Sequence, residues 1–249
     1  VRAVKKQQVE YFFTEKFKNL ENLNRNENLD RILGMGPETR QTPLFLQNLE
    51  LLKNYYIAYG FSNLYVVAEN DGAADILVAD TSPPHGLTRE TIDRIRQISA
   101  ETMQKDGIAI SDLFFRNAAD SLPFCLIGQR VISGTGTASG TVILEIPSHE
   151  INRIMLQDNR QVGLGKSGEA YLVGSEGLMR SVSRFIRRSL LRVPVSSAAS
   201  KAAIGGETGS IVTKDYRGIK VFSAFEPLHV PGLKWVIMAE IDYEEAMIP

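Results

Sequence analysis

Apolar residues recur at three- and four-residue spacing through Val9, Phe13, Lys16/Phe17, Leu20 and Leu23. That period predicts one apolar stripe on a long helix over residues 1–26. Lys5, Lys6, Glu10, Glu15, Lys18 and Glu21 occupy its other faces. Gly34-Met35-Gly36-Pro37 breaks the chain, and residues 43–59 make a second helix with Gly60 placed to cap it. After Gly60 the period changes. Residues 63–69 and 75–80 are β-branched or aromatic runs joined by Asn70-Asp71-Gly72, a strong hairpin signal. Residues 88–105 return to helix, with Thr88 as cap and a stripe of Ile92, Ile95, Ile98/Ser99 and Met103. Three strands follow at 108–115, 123–131 and 139–146, with turns at 117–121 and 134–137. A helix over 148–159 starts at Ser148.

The pattern then repeats. Two short strands, 170–173 and 178–183, flank the Ser175-Glu176-Gly177 turn, and 184–207 reads as helix and loop. Strands at 209–214, 219–225 and 234–241 complete the second half, with turns at Asp215-Tyr216-Arg217-Gly218 and Pro231-Gly232. The expected fold is therefore α+β: a long N-terminal helix and two five-stranded antiparallel sheets in tandem. The expected divisions are a helical segment at 1–59, a module at 60–147, a connecting helix at 148–162 and a second module at 163–249.

Composition narrows the class without naming it. The chain has 249 residues, 43% of them hydrophobic and 23% charged, which excludes a disordered or fibrous chain. The formal net charge of −1 supplies no global basic field for nucleic acid. It hides an asymmetry: residues 1–150 carry 15 basic and 19 acidic groups, and residues 151–249 carry 13 and 10. A single cysteine, Cys125, excludes an internal disulfide and a cysteine-cluster metal site, and its apolar strand predicts a buried, inert thiol. No window approaches the length of an apolar membrane span.

Several motifs imitate known chemistry. Gly163-Leu164-Gly165-Lys166-Ser167-Gly168 matches a dinucleotide fingerprint and contains the Gly-Lys-Ser of a phosphate loop. That fingerprint needs a strand before and a helix after. Here a helix precedes and a strand follows, so a tight turn entering a strand is expected. His85, His149 and His229 lack metal-ligand spacing. Arg180, Arg184, Arg187, Arg188 and Arg192 are dense, and Arg184, Arg188 and Arg192 share a face if that segment is helical. They read as a solvated or internally paired face, with an anionic lipid surface as the functional competitor.

The second half also carries six separated motifs in order. They are the run from Gly165 to Gly174, then Leu178 to Arg184, Gly206-Glu207-Thr208-Gly209, Asp215-Tyr216-Arg217-Gly218, Pro227 to Ile237, and Ala239-Glu240-Ile241-Asp242 with Glu245-Ala246. This string resembles the membrane-proximal module of a double Cache, or tandem PAS-like, sensor domain. Val182 departs from the pattern, which has an acidic residue there. The first half resembles the membrane-distal module in architecture, with weaker motifs. The resemblance implies an extracytoplasmic sensor of a bacterial transmembrane receptor, with a membrane helix expected before Val1 and another near Pro249. It implies no catalysis and no cofactor in this domain, and a full-length histidine kinase, chemoreceptor or nucleotide cyclase, the kinase and the cyclase being favoured. Apolar residues of the first helix beyond its stripe, Val4, Tyr11 and Phe12, predict that it pairs with its copy in a homodimer. The competing reading is a cytoplasmic PAS- or GAF-like module holding haem or flavin, with His85 or His149 as the haem candidate.

In that family the ligand sits in the distal module. The amino-acid-binding subclass carries Arg-x-Trp-Tyr, then Tyr-x-Asp, then an Asp near the end of the fifth strand. Residues 85–104 have no Arg-x-Trp-Tyr, Phe114-Phe115-Arg116 fills the Tyr-x-Asp slot, and Glu145 stands at the last Asp. Arg116 reverses a charge that would hold an ammonium and offers a planar fork for carboxylate. The expected ligand is thus a small anion other than an α-amino acid. Arg116 and Arg130 are the expected anchors, with Glu145 at the acidic position and Tyr56, Tyr65 and Phe114 as wall. The alternative pocket is proximal, lined by Tyr171, Arg180, Ser181, Ser183 and Tyr216, with Arg180 and Glu169 expected to pair.

Overall fold

The computed structural model describes residues 1–35, 39–70, 73–78, 87–105, 107–117, 122–132, 139–156 and 165–248. The chain packs as two compact units, Thr14–Pro147 and Val1–Phe13 with Ser148–Pro249. They are called here the N-terminal and the C-terminal unit. The long first helix, α1 (Arg2–Asn24), buries Val9, Phe13, Lys16, Leu20 and Leu23, which is the stripe its spacing predicts.

In the N-terminal unit a helix not legible beforehand, α2 (Glu27–Leu33), follows α1; Asn26 caps it, its Oδ1 accepting from the Asn28 amide at 2.9 Å. Next comes α3 (Pro43–Ala58), with Thr42 as cap and Gly60 at φ +70° just beyond its end. Lys16 donates to the carbonyls of Tyr59 (2.5 Å) and Gly60 (3.1 Å), so a cation on α1 meets the negative end of α3. The strands β1 (Asn63–Asn70) and β2 (Ala73–Val78) form the predicted hairpin, with Asn70 paired to Ala73. After α4 (Arg89–Gln104) come β3 (Ile108–Ile110), β4 (Phe124–Ile132) and β5 (Ser139–Pro147). The sheet order is β2-β1-β5-β4-β3, antiparallel throughout.

The strand predicted over 108–115 is broken by its own polar side chains. Ser111 Oγ accepts from the Leu126 amide and Asp112 Oδ1 from the Leu113 amide, and pairing resumes only at the Phe114–Phe124 bridge. Thr88 caps α4 as predicted, and Ile95 and Ile98 pack with Tyr65, Val67, Phe114, Phe124, Leu126 and Ile143. Cys125 is buried, and burial pushes its thiol well above the ordinary range. The turns at 71–72, 118–121 and 134–137 and His85 lie outside the described residues.

The C-terminal unit holds α5 (Ser148–Leu156), β6 (Glu169–Gly174), α6 (Ala198–Ile204), β7 (Gly209–Lys214), β8 (Lys220–Pro227), β9 (Trp235–Asp242) and a last turn, α7 (Tyr243–Ala246). Its sheet runs β6-β9-β8-β7, so the class is α+β as predicted, with five strands in the first sheet and four in the second. The segment predicted as a further strand, 178–183, lies beside β6 without a ladder: Met179 bridges Val173, but the Ser181 hydroxyl takes the Leu172 amide at 3.0 Å. Only Ala198–Ile204 is helical in the 184–207 stretch, and Arg188 and Leu191 sit at φ 57° before it. Arg184, Arg188 and Arg192 therefore share no helical face. Trp235 is buried against Phe13 at a ring separation of 5.7 Å.

Gly128 lets α4 approach the first sheet. A Cβ there would stand 2.4 Å from Ile98 Cγ2 and 3.0 Å from Ile143 Cγ1. Gly128→Ala is expected to destabilise the protein by about 1–3 kcal/mol, read as a lower urea midpoint with unchanged far-UV dichroism.

Candidate functional site

The first sheet draws a charged residue into its buried face. Along β5 the residues alternate between faces, and Glu145 shares the face of Ile143, which packs under α4. In the register Asn63 opposes Glu145 and Tyr65 opposes Ile143, so Tyr65 is the diagonal neighbour of Glu145. The Tyr65 hydroxyl donates to Glu145 Oε2 at 2.6 Å and the Ser62 hydroxyl to Oε1 at 2.6 Å. Arg116 Nη2 donates to both oxygens, at 2.9 and 3.0 Å. The guanidinium lies over the Phe124 ring, 4.7 Å from its centroid, and Phe124 packs on Phe114 at 4.4 Å. Thr88, the cap of α4, donates to the Arg116 carbonyl at 2.8 Å and so fixes the backbone beneath the guanidinium.

Electrostatics follow from this packing. Burial works against the Arg116 charge, but Glu145 beside it wins and holds the guanidinium protonated. Burial, and then Glu145, hold the Tyr65 phenol above its ordinary range, so it remains a donor. The Arg116 and Glu145 side chains are 15% and 4% exposed, so their pairing is only weakly screened by solvent.

Of the six residues expected to line a site in the first module, the structure brings together Tyr65, Phe114, Arg116 and Glu145. Arg130 is placed elsewhere: it opposes Thr141, four residues along β4 from the Leu126–Glu145 pair, about 13 Å at the usual strand rise. Tyr56 is buried on α3, outside the apolar cluster that holds Tyr65 and Phe114. Ser62, Phe124 and Thr88 were not legible as members. A hydroxyl beside the strand facing a lone inward glutamate was the only available signal for Ser62.

In the second sheet the expected residues divide in the same way. Tyr171, Ser183 and Tyr216 meet two buried glutamates: Glu169, expected instead to pair with Arg180, and Glu240, which the sequence reading did not place in the pocket. Tyr216 donates to Glu169 Oε2 at 2.5 Å, and Tyr171 donates to Glu240 Oε2 at 2.8 Å. Ser183 Oγ lies 2.7 Å from the Tyr216 hydroxyl. Arg180 does not pair with Glu169; its guanidinium binds Glu176 and the Leu178 carbonyl, and Ser181 serves the backbone. His149 is more than half exposed on α5, 3.2 Å from Glu150, rather than enclosed as a haem ligand would be.

From Gly165 onward the phosphate-loop look-alike is a turn that cradles an anion, while Gly163 and Leu164 lie outside the described residues. Gly165 sits at φ +60°, and the amides of Lys166 and Ser167 each donate to the Glu245 carboxylate at 2.7 Å. The Ser167 hydroxyl bonds it too, and these bonds hold the Glu245 carboxyl below its usual range.

The ion pair of the first sheet is open to direct test. Glu145→Ala should cost about 3 kcal/mol, because it strands a guanidinium that is largely shielded from water. Adding Arg116→Ala should restore part of that loss, and a double-mutant cycle by urea denaturation reads the coupling.

Comparison with known proteins agrees with this architecture. No curated protein matches the chain in sequence. Among solved structures, the periplasmic sensory domain of the Campylobacter jejuni chemoreceptor Tlp1 superposes with a TM-score of 0.70 at 10% identity, covering 100% of this chain and 94% of that one. The ligand-binding domain of the Pseudomonas aeruginosa amino acid chemoreceptor PctC, in complex with GABA, gives 0.66 at 14% identity, covering 97% and 96%. The ligand-binding domain of C. jejuni chemoreceptor Tlp3, in complex with L-norvaline, gives 0.68 at 13% identity, covering 99% and 90%. The family described as Cache domain matches residues 2–249, so the chain belongs to the Cache domain family.

Proposed function

We propose that this sensor domain reads a small molecule held against the Arg116–Glu145 pair of its N-terminal unit. As a Cache domain the chain is an extracytoplasmic ligand-binding module of a signalling receptor. The observation that carries the placement is the geometry of Arg116. Both bonds to Glu145 come from one terminal nitrogen of a five-donor fork, and Tyr65 also bonds the guanidinium, so a ligand carboxylate would take the donors that remain.

Sequence alone points to an anion that is not an amino acid, because Arg-x-Trp-Tyr is missing and Arg116 stands where the family has an Asp that would hold an ammonium. Glu145 compensates the Arg116 charge. A bare anion placed on Arg116 also meets the Glu145 charge at close range. A molecule carrying both a carboxylate and an ammonium offsets both charges, and the solved complexes with GABA and L-norvaline contain molecules of that kind. We therefore favour an amino-acid-like zwitterion. The organic-acid reading keeps one observation in its favour: Glu145 already accepts from Tyr65, Ser62 and Arg116, which leaves it little capacity for an ammonium.

The remaining parts of the proposal concern the whole receptor. Membrane helices flank the domain, and two copies pair through α1, where Val4 and Tyr11 are 51% and 65% exposed. The similarity to chemoreceptor domains favours a chemoreceptor output over a kinase or cyclase.

Calorimetric titration with a panel of amino acids and a panel of organic acids is the test. One panel should contain a binder, and Arg116→Ala should weaken it by about 10–100-fold, the worth of a charge-assisted hydrogen bond. Binding undiminished in that variant would remove the ligand from this pair.

A further inference from the structure

The second sheet places two carboxylates where apolar side chains would be expected. Glu169 on β6 and Glu240 on β9 are direct cross-strand partners at the last pair of their ladder, and each is 3% exposed. They alternate onto the face of Tyr171, Val173, Val236 and Met238, which is packed against α6. Glu240 accepts from Ser223 Oγ and from the Tyr171 hydroxyl, both at 2.8 Å; among the described residues no cation bonds it. Glu169 accepts from the Tyr216 hydroxyl and from the Arg184 amide, both at 2.5 Å.

The charges around the pair do not neutralise it. From the β7–β8 turn come Asp215, Tyr216 and Arg217; Arg217 bonds Asp215 (2.6 Å) and Asp242 (2.9 Å), and its charge offsets Glu169 only in part. The side chain of Arg184 binds the Gly168 carbonyl at 2.6 Å rather than either carboxylate. From β6 and β8 come only the neutral donors Tyr171 and Ser223. Like charges directly opposite one another in a sheet repel, and removing an unpaired carboxylate from water is costly. Burial foremost, with Asp215 and Glu169 adding to it, pushes the Glu240 carboxyl up to about 7. Burial also raises Glu169, against the bonds it receives from Tyr216 and Arg184.

The same two strands run into the Glu245 clasp. Ser167 lies two residues before Glu169, and Asp242 two residues after Glu240. The Asp242 amide donates to Ser167 Oγ at 3.1 Å, and Lys166 and Ser167 hold Glu245 on α7. We propose that the Glu169–Glu240 pair makes the C-terminal unit responsive to protons, a second input independent of the ligand in the N-terminal unit, with the Glu245 clasp as the part that moves. When Glu240 carries a proton, the ladder end is closed and the clasp is held. When both carboxylates are charged, their repulsion loosens the β6–β9 end and the clasp with it. Glu245 stays ionised through this range, so the clasp itself does not titrate.

The sign of the stability effect follows. A carboxyl raised from 4.5 to about 7 binds its proton more tightly in the folded chain. Folding stability therefore falls as pH rises through that window and levels off above it. Hydrogen exchange at the Lys166 and Ser167 amides, corrected for intrinsic rate, should show protection dropping about tenfold between pH 5.5 and 8.5. Glu240→Gln should keep protection high and flat. Thermal unfolding of the unaltered protein should give a midpoint that falls over the same range, which holds the test open if the variant does not fold. Protection that ignores pH in the unaltered protein, a variant that keeps the full pH dependence, or a midpoint that does not fall with pH would each overturn the proposal.

Discussion

A carboxylate taken out of water has to be met by donors, and both sheets of this protein are organised around that demand. In the first sheet Glu145 is met by a cation, a phenol and a hydroxyl that arrive from three separate places in the chain. Arg116 reaches it only because the third strand breaks after Ile110 and pairing resumes at the Phe114–Phe124 bridge. Thr88 ties that backbone to the start of α4. The helix, the broken strand and the central strand pair thus converge on one side chain. In the second sheet Glu240 is met by neutral donors alone, so its charge remains uncompensated. One arrangement sets a guanidinium against its carboxylate; the other leaves a carboxyl whose affinity for a proton is raised by burial.

The clasp on Glu245 follows the same logic at a surface. A turn with successive amides pointing one way binds an anion whether that anion is a phosphate or a carboxylate. The Gly-Lys-Ser sequence therefore does have anion chemistry, but it is directed at the chain's own last helical turn. It joins the start of β6 to the end of β9.

Much of the fold was legible because it rests on local signals. The stripe on α1, the cap Thr88, and the Asn70-Asp71-Gly72 hairpin each declare themselves within a few residues. The failures share a cause as well. The short third strand and the missing fifth strand of the second sheet arise where Ser111, Asp112 and Ser181 divert backbone amides to their own side chains. Such competition depends on tertiary placement, and hydrophobic period does not record it. The site was half legible. Arg116 and Glu145 stood out by their places in the family's ligand motif, but their mutual pairing did not, and it weighs against the inference drawn from Arg116. Glu240 was passed over and Glu169 was assigned to Arg180, because alternation marks both as inward-facing without saying what meets them there.

The account comes down to whether the guanidinium beside Glu145 is where the ligand sits. A crystal structure of the domain with its tightest-binding small molecule tests this most directly. The expected result is a ligand carboxylate within hydrogen-bond distance of Arg116, with Glu145 still facing the same guanidinium. A ligand lodged in the C-terminal unit, or one in the N-terminal unit that leaves Arg116 untouched, would contradict it.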